Sequence, residues 1–288
     1  MKLQYKTTDS DPLSSISVRR IQQPYIGQNW HFHEEYELIY FLEGQGMRIV
    51  GDHMSNFKAG ELVLVGQWLP HLWRNDDLNT GGLSADFIVV KFKSQLKGID
   101  LFALPELSTM KMLLHRSANG MLFSTSCLPA IHPLMLQLAG AGSVDRIVHF
   151  LRIMDVLSRQ TDYEFLASHD FTLPTEVTKE SRLQSVINYI FERYTQEITL
   201  DDISDVACLT PPAFCRFFKN RTNKTFFHFL NEFRINKACQ LLIGNERQIK
   251  EICFDVGFQS LTNFNRIFRK AKGITPSQYR SRYRKMHA

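Results

Sequence analysis

Apolar residues recur at two different periods along this chain, and the change of period divides it. In residues 1–95 they alternate in short runs separated by turn residues, the pattern of strands. Ser17–Gln22, Gly46–Val50, Glu61–Val65 and Asp86–Phe92 are predicted strands, with turns at Asp9–Pro12, Gly51-Asp52 and Lys58–Gly60. The run His31–Gly44 reads as one long strand, whose alternation turns His31, His33 and Glu37 to the same side. Pro70–Asn75 follows as a further strand. Short strands at regular spacing with glycine turns predict a barrel or jelly roll.

From residue 96 to 180 the period becomes helical. A helix is predicted from Leu104-Pro105 through Met110, Leu113 and Leu114 to Gly120, and a second around Ile131–Leu138. A third, Ser143–Ser158, carries Ile147, Leu151, Met154 and Leu157 at helical spacing, a stripe that serves either as core or as a contact between subunits. Ser168–Thr178, polar and containing Pro174, reads as a linker.

The final stretch has the sharpest pattern. Ile249, Ile252 and Val256 share one face of a short helix, and Gly257 permits a left-handed turn residue. Ser260 is placed to cap a second helix that buries Phe264, Ile267 and Phe268 and presents Asn263, Arg266, Arg269 and Lys270. Gly273 ends it, and Thr275-Pro276 starts another. About fifty residues upstream the same pattern occurs once before, which is repeat logic with two copies. There Leu200, Ile203 and Val206 carry the first helix, and Thr199 with Asp202 is set for a capping box. Thr210-Pro211 opens the second helix, and Phe214-Cys-Arg-Phe-Phe218 matches Phe264-Asn-Arg-Ile-Phe268, with Arg216 in the place of Arg266. A helix around Phe226–Ile243, ended by Gly244-Asn245, joins the copies. A short helix, a tight turn and a basic-faced second helix suit a DNA major groove.

Charge follows the same division. The chain of 288 residues carries a net +5, but residues 181–288 hold 18 Lys and Arg against 9 Asp and Glu, leaving 16 against 20 for the rest. A basic end on a mildly acidic remainder implies a polyanionic partner for that end alone. The five cysteines form no C-x-x-C pair and mostly occupy apolar helical positions, so buried reduced thiols are expected, with Cys215 the exception on the basic face. No apolar leader or membrane-length run is present in the sequence, which points to the cytoplasm.

Residues 181–288 resemble the DNA-binding domain of the AraC/XylS family of bacterial transcription regulators, on the strength of Gly257-Phe258, Phe264–Phe268 and Ile274–Arg280. His31-x-His33, Glu37 and Gly44, followed by His71 and Asn75, resemble the two cupin motifs, although Gly27 lies closer to His31 than the motif expects and Ala59 stands near the place of its proline. The resemblances imply a cupin-like barrel (1–95), a helical connector and dimerisation region with linker (96–180) and an all-α domain with two helix-turn-helix units (181–288). They imply a sequence-specific transcription regulator, an effector-responsive activator rather than an enzyme. Its expected partners are double-stranded DNA, a small-molecule effector such as a sugar, RNA polymerase and a second copy of itself. The competing reading is a metal-dependent cupin enzyme fused to a DNA-binding domain.

The residues expected on DNA are Pro212, Cys215, Arg216 and Lys219 in the first unit and Ser260, Leu261, Thr262, Asn263, Arg266, Arg269 and Lys270 in the second. Arginine suits guanine and asparagine adenine, whereas Lys219, Arg269 and Lys270 suit phosphates. The alternative for Arg216 and Arg266 is to brace their own domain through carboxylates. In the barrel, His31, His33, Glu37, His71 and Trp73 are the expected effector pocket, with Trp30, Tyr36 and Trp68 as further aromatic rim or as plain core. No cofactor is expected; the same three histidines and Glu37 are the candidates should the site take a divalent metal.

Overall fold

A computed structural model describes residues 15–26, 30–75, 85–96, 98–169, 171, 177–244 and 247–284. The turn expected at Asp9–Pro12, Gly27, most of the linker and Asn245 lie outside the described residues. By compactness the chain forms two units, one built mainly from residues 4–53 and 57–173, the other mainly from 174–288.

The first unit begins with β1 (Ile16–Gln23), β2 (Tyr36–Glu43), β3 (Gln45–Val50), β4 (His53–Lys58), β5 (Leu62–Val65), β6 (His71–Arg74) and β7 (Ala85–Phe92). Then come helices α1 (Ser108–Arg116), α2 (Leu128–Gly140) and α3 (Ser143–Ser158), with β8 (Met121–Phe123) between α1 and α2 and β9 (Tyr163–Phe165) after α3. The strands form a six-stranded sheet in the order β1-β7-β2-β5-β8-β9 and a three-stranded sheet in the order β4-β3-β6. Alternation gives the large sheet two apolar faces. Leu38, Tyr40, Leu62, Leu64, Ile88, Val90 and Phe92 meet the helices, while Ile39, Phe41, Val63, Val65, Phe87 and Val89 form the barrel interior with Trp73.

Three features depart from the expected strands. The chain does not run straight from His31 to Gly44: bends occupy Glu34 and Glu35, and β2 starts only at Tyr36. His31 instead forms an isolated bridge with His71, donating to its carbonyl at 3.1 Å and accepting from its amide at 2.9 Å. Strand β4 was hidden because its side chains His53, Ser55 and Asn56 break the apolar pattern. The third departure lies in the stretch expected as connector, where β8 and β9 extend the barrel's own sheet and α1–α3 bury Met110, Leu113, Ile131, Phe150 and Ile153 on it. The α3 stripe is also turned: Phe150, Ile153, Met154 and Leu157 face the core, while Ile147 is exposed beside Val144 and Val148.

The second unit contains α4 (Val177–Arg193), α5 (Leu200–Val206), α6 (Pro211–Thr222), α7 (Phe226–Gly244), α8 (Ile249–Asp255), α9 (Leu261–Lys272) and α10 (Pro276–Arg284). Its internal repeat is physical as well as sequential. Both α5 and α8 start in a capping box, Thr199 with Asp202 and Gln248 with Glu251. A residue at positive φ follows each, Cys208 (52°) and Gly257 (90°), and another closes each second helix, Asn223 (55°) and Gly273 (75°). The Phe218 ring meets Phe229 edge-on at 5.4 Å, and Phe268 meets Tyr279 edge-on at 5.5 Å. Cys208 therefore departs from the expected buried thiols: it sits exposed in a left-handed turn, whereas Cys127, Cys239 and Cys253 are buried and Cys215 is exposed as expected.

Gly257 has no room for a side chain. A Cβ there would overlap the Tyr194 carbonyl oxygen and press on the Arg234 guanidinium. That guanidinium donates to the carbonyls of Tyr194 (2.8 Å) and Gln196 (2.7 Å), so α7 ties the end of α4 against the turn after α8.

Candidate nucleic-acid interface and barrel cluster

Helices α6 and α9 each bury a phenylalanine pair and expose a polar face. Phe214 and Phe218 are fully buried in α6, and Phe264 and Phe268 in α9. On the first helix Pro212, Cys215, Arg216 and Lys219 are exposed, and Phe217 is half-buried rather than fully inside. On the second, Thr262, Asn263, Arg266, Arg269 and Lys270 are exposed and Leu261 is half-buried. Ser260 accepts from the Asn263 amide at 3.4 Å, which makes it the helix cap. Arg266 donates to the Asn263 side-chain oxygen at 2.8 Å, one turn away, so the two are held as a pair. Among the described residues neither Arg216 nor Arg266 pairs with a carboxylate, as the bracing alternative would require. An open cleft of about 790 Å³ runs beside α9, lined by Leu261, Arg266, Arg269, Lys270 and the start of α10 at Thr275–Ser277. Asn265, which the sequence reading passed over, lies on this cleft; its signal was its place one residue from Arg266 on the exposed face.

In the barrel, His31, His33, Glu37 and His71 are all buried, and their ligand-type atoms lie within 4.8 Å of one another. They converge through the His31–His71 bridge and the bend at Glu34-Glu35, not along a single strand. His71 donates from Nδ1 to the Leu69 carbonyl at 2.8 Å, so its Nε2 presents a lone pair, 3.7 Å from Glu37 Oε2 and outside hydrogen-bond reach. His33 Nδ1 lies 2.9 Å from the Glu35 carbonyl and Nε2 lies 3.0 Å from Glu37 Oε2, so each ring nitrogen faces an acceptor. The sequence reading missed Lys91, whose Nζ lies 2.8 Å from the same Glu37 oxygen. Its signal was a lone cation on the inward phase of an apolar strand, in register with Glu37 across β2 and β7.

The electrostatics follow from these contacts. Burial would push the Glu37 carboxyl up, but the Lys91 ammonium and the hydrogen bond with His33 outweigh it and hold Glu37 well below the usual carboxylate range. Burial pushes the His71 imidazole down, against the pull of Glu37. Three imidazoles and a carboxylate suit a divalent cation in donor type. As arranged they do not fit one, because the Lys91 ammonium already occupies the Glu37 oxygen that His33 Nε2 faces.

The aromatic rim is mostly core. Trp73 is fully buried against Phe41 and His71, and Trp30 is buried as well. Tyr36 stacks on Phe92 on the helix side of the sheet, away from the cluster. Trp68 alone of the four is exposed, at positive φ.

A His-rich barrel followed by two helix-turn-helix units defines a DNA-binding regulator. Residues 203–282 match a helix-turn-helix domain family and residues 21–80 match a cupin domain. The two matched domains are an AraC-type helix-turn-helix domain and a cupin domain, and the relatives they bring in are AraC-family transcription regulators. It is 34% identical over 106 residues to the uncharacterized HTH-type transcriptional regulator YdeC of Bacillus subtilis, covering 37% of this chain and 36% of that one. To the HTH-type transcriptional activator RhaS of Citrobacter koseri it is 21% identical over 262 residues, 87% of this chain and 86% of the relative. Among solved structures, the DNA-binding domain of AdpA in complex with a target DNA matches 36% of this chain and 95% of its own at 24% identity and a TM-score of 0.36. ToxT from Vibrio cholerae matches 93% and 97% at 13% identity and a TM-score of 0.37. The relatives are named as regulators, which leaves the metal-dependent enzyme alternative without support. No helix among the described residues is long and apolar enough to cross a membrane.

Proposed function

We propose that α6 and α9 read two successive major-groove segments of one operator, and that the barrel is the sensor of a small polar effector such as a sugar. The observation that carries the first half is the duplication: two helices, each seated on a buried phenylalanine pair, present Arg216 and Arg266 at matching exposed positions. Pro212 and Cys215 are poor hydrogen-bonders, so the first helix contributes less base recognition than the second, where Thr262, Asn263 and Arg266 meet base edges. Ser260 and Leu261 contact the groove wall, and Lys219, Arg269 and Lys270 hold phosphates. The Arg266–Asn263 hydrogen bond orients the guanidinium before DNA arrives.

In this division of labour the barrel with the helices packed on it senses and pairs subunits, and residues 181–288 bind DNA. The effector acts through His31, His33, Glu37, His71 and Trp73 and changes which half-sites a homodimer occupies. Activation through RNA polymerase in the cytoplasm is the accompanying reading, supported by relatives named as activators.

The test is quantitative binding to an operator selected from random-sequence DNA. Arg266→Ala is expected to lose about 1–3 kcal/mol on the selected operator and little on unrelated DNA. Lys270→Ala is expected to weaken both and to lower the salt slope by about one. Equal losses on both DNAs for Arg266→Ala would make that residue a phosphate contact and overturn its role as a reader.

A further inference from the structure

We propose that Lys91 is a built-in cation that stands where a divalent metal would, and so decides that this cluster of metal-type side chains takes no metal. Glu37 and Lys91 are direct partners in the β2–β7 register, and both point into the barrel on the phase of Ile39 and Val89. The lysine is therefore placed by the sheet itself. Its Nζ lies 2.8 Å from Glu37 Oε2, and that one oxygen is also the atom that His33 Nε2 (3.0 Å) and His71 Nε2 (3.7 Å) approach. An ion held jointly by Glu37 and the imidazoles has to sit at this oxygen, beside the ammonium and against its charge. The Lys91 side chain is 16% exposed and the Glu37 side chain 2%, so the pair is shielded from water and its charges are weakly screened.

The inference uses the same residues as the effector reading, yet metal exclusion holds or fails whatever the effector is. The test is cobalt(II) binding to the purified full chain, by equilibrium dialysis and visible absorption, for the wild type, Lys91→Met and Lys91→Met/His71→Ala. Lys91→Met is expected to bind one cobalt(II) at least about tenfold more tightly than the wild type, the scale of changes around a metal site. The added His71→Ala change is expected to abolish that gain. Lys91→Gln repeats the measurement with a polar side chain should the methionine variant fold poorly by circular dichroism. Two results overturn the proposal. One is a wild type that binds one cobalt(II) as tightly as Lys91→Met and loses it on His33→Ala. The other is a folded Lys91→Met or Lys91→Gln chain that gains no affinity, since geometry rather than the lysine would then exclude the ion.

Discussion

Glu37 is a carboxylate at 1% exposure, held ionised by the Lys91 ammonium and its hydrogen bond with His33, and its neighbours turn that into a dependence on pH. Its pKa in the fold lies well below the unfolded value of about 4.3. A depressed carboxyl contributes stability that is present above the unfolded value and is lost as pH falls through the folded one. Glu37→Gln is therefore expected to destabilise the barrel unit at pH 7 and to show a flatter acid limb than the wild type. Removing one partner of a buried pair costs about 3–5 kcal/mol. Urea unfolding of both proteins between pH 3 and 7 measures this; parallel pH profiles would show that Glu37 is not linked to folding. At this scale the sequence was half legible. The residue types and the spacing of His31, His33, Glu37 and His71 were visible, but Lys91 was not, because strand register joins residues that are far apart in the chain.

The helix-turn-helix elements obey two different backbone constraints at their glycines. Gly257 needs both a positive φ of 90° and an empty Cβ position, whereas Gly273, at 75°, has nothing within 4 Å of a built Cβ. Gly273→Ala is expected to cost about 1 kcal/mol for the left-handed backbone alone. Gly257→Ala adds the overlap with Tyr194 and Arg234 and is expected to cost about 3 kcal/mol or more. Thermal melts of the two variants check the order, and equal losses would mean that the Arg234 tie yields easily. The first helix-turn-helix copy places Cys208 where the second copy has Gly257, so sequence comparison of the copies hid a left-handed turn that the backbone reveals. The helices themselves were legible, since caps and the 3.6-residue period are local signals: Ser143–Ser158 was bounded from sequence as observed. Its buried face was not, because Ile147, Leu151, Met154 and Leu157 and the observed Phe150, Ile153, Met154 and Leu157 are two overlapping stripes of one apolar helix. Strands β8 and β9, three residues each, were too short to show any period.

At the scale of the whole molecule the turned face of α3 bears on assembly. Packing Phe150, Ile153, Met154 and Leu157 against the barrel leaves Val144 at 70% exposure, Ile147 at 42% and Val148 at 40%. Single exposed aliphatic side chains are ordinary on a protein surface, but three at i, i+3 and i+4 form one stripe on one helix. A second copy of the same stripe is self-complementary under twofold symmetry, which is how a homodimer hides such a surface. The wild type is expected to be a dimer at micromolar concentration by light scattering, and Ile147→Glu/Val148→Glu a folded monomer. Dimerisation joins two DNA-binding units, so the same variant is expected to keep its affinity for one half-site and to lose about a hundredfold on paired half-sites. Monomeric wild type would remove the α3 stripe as an interface. A dimeric glutamate variant would place the contact elsewhere on the chain. A monomeric variant that still binds paired half-sites as tightly as the wild type would show that one chain, with α6 and α9 together, spans the whole operator.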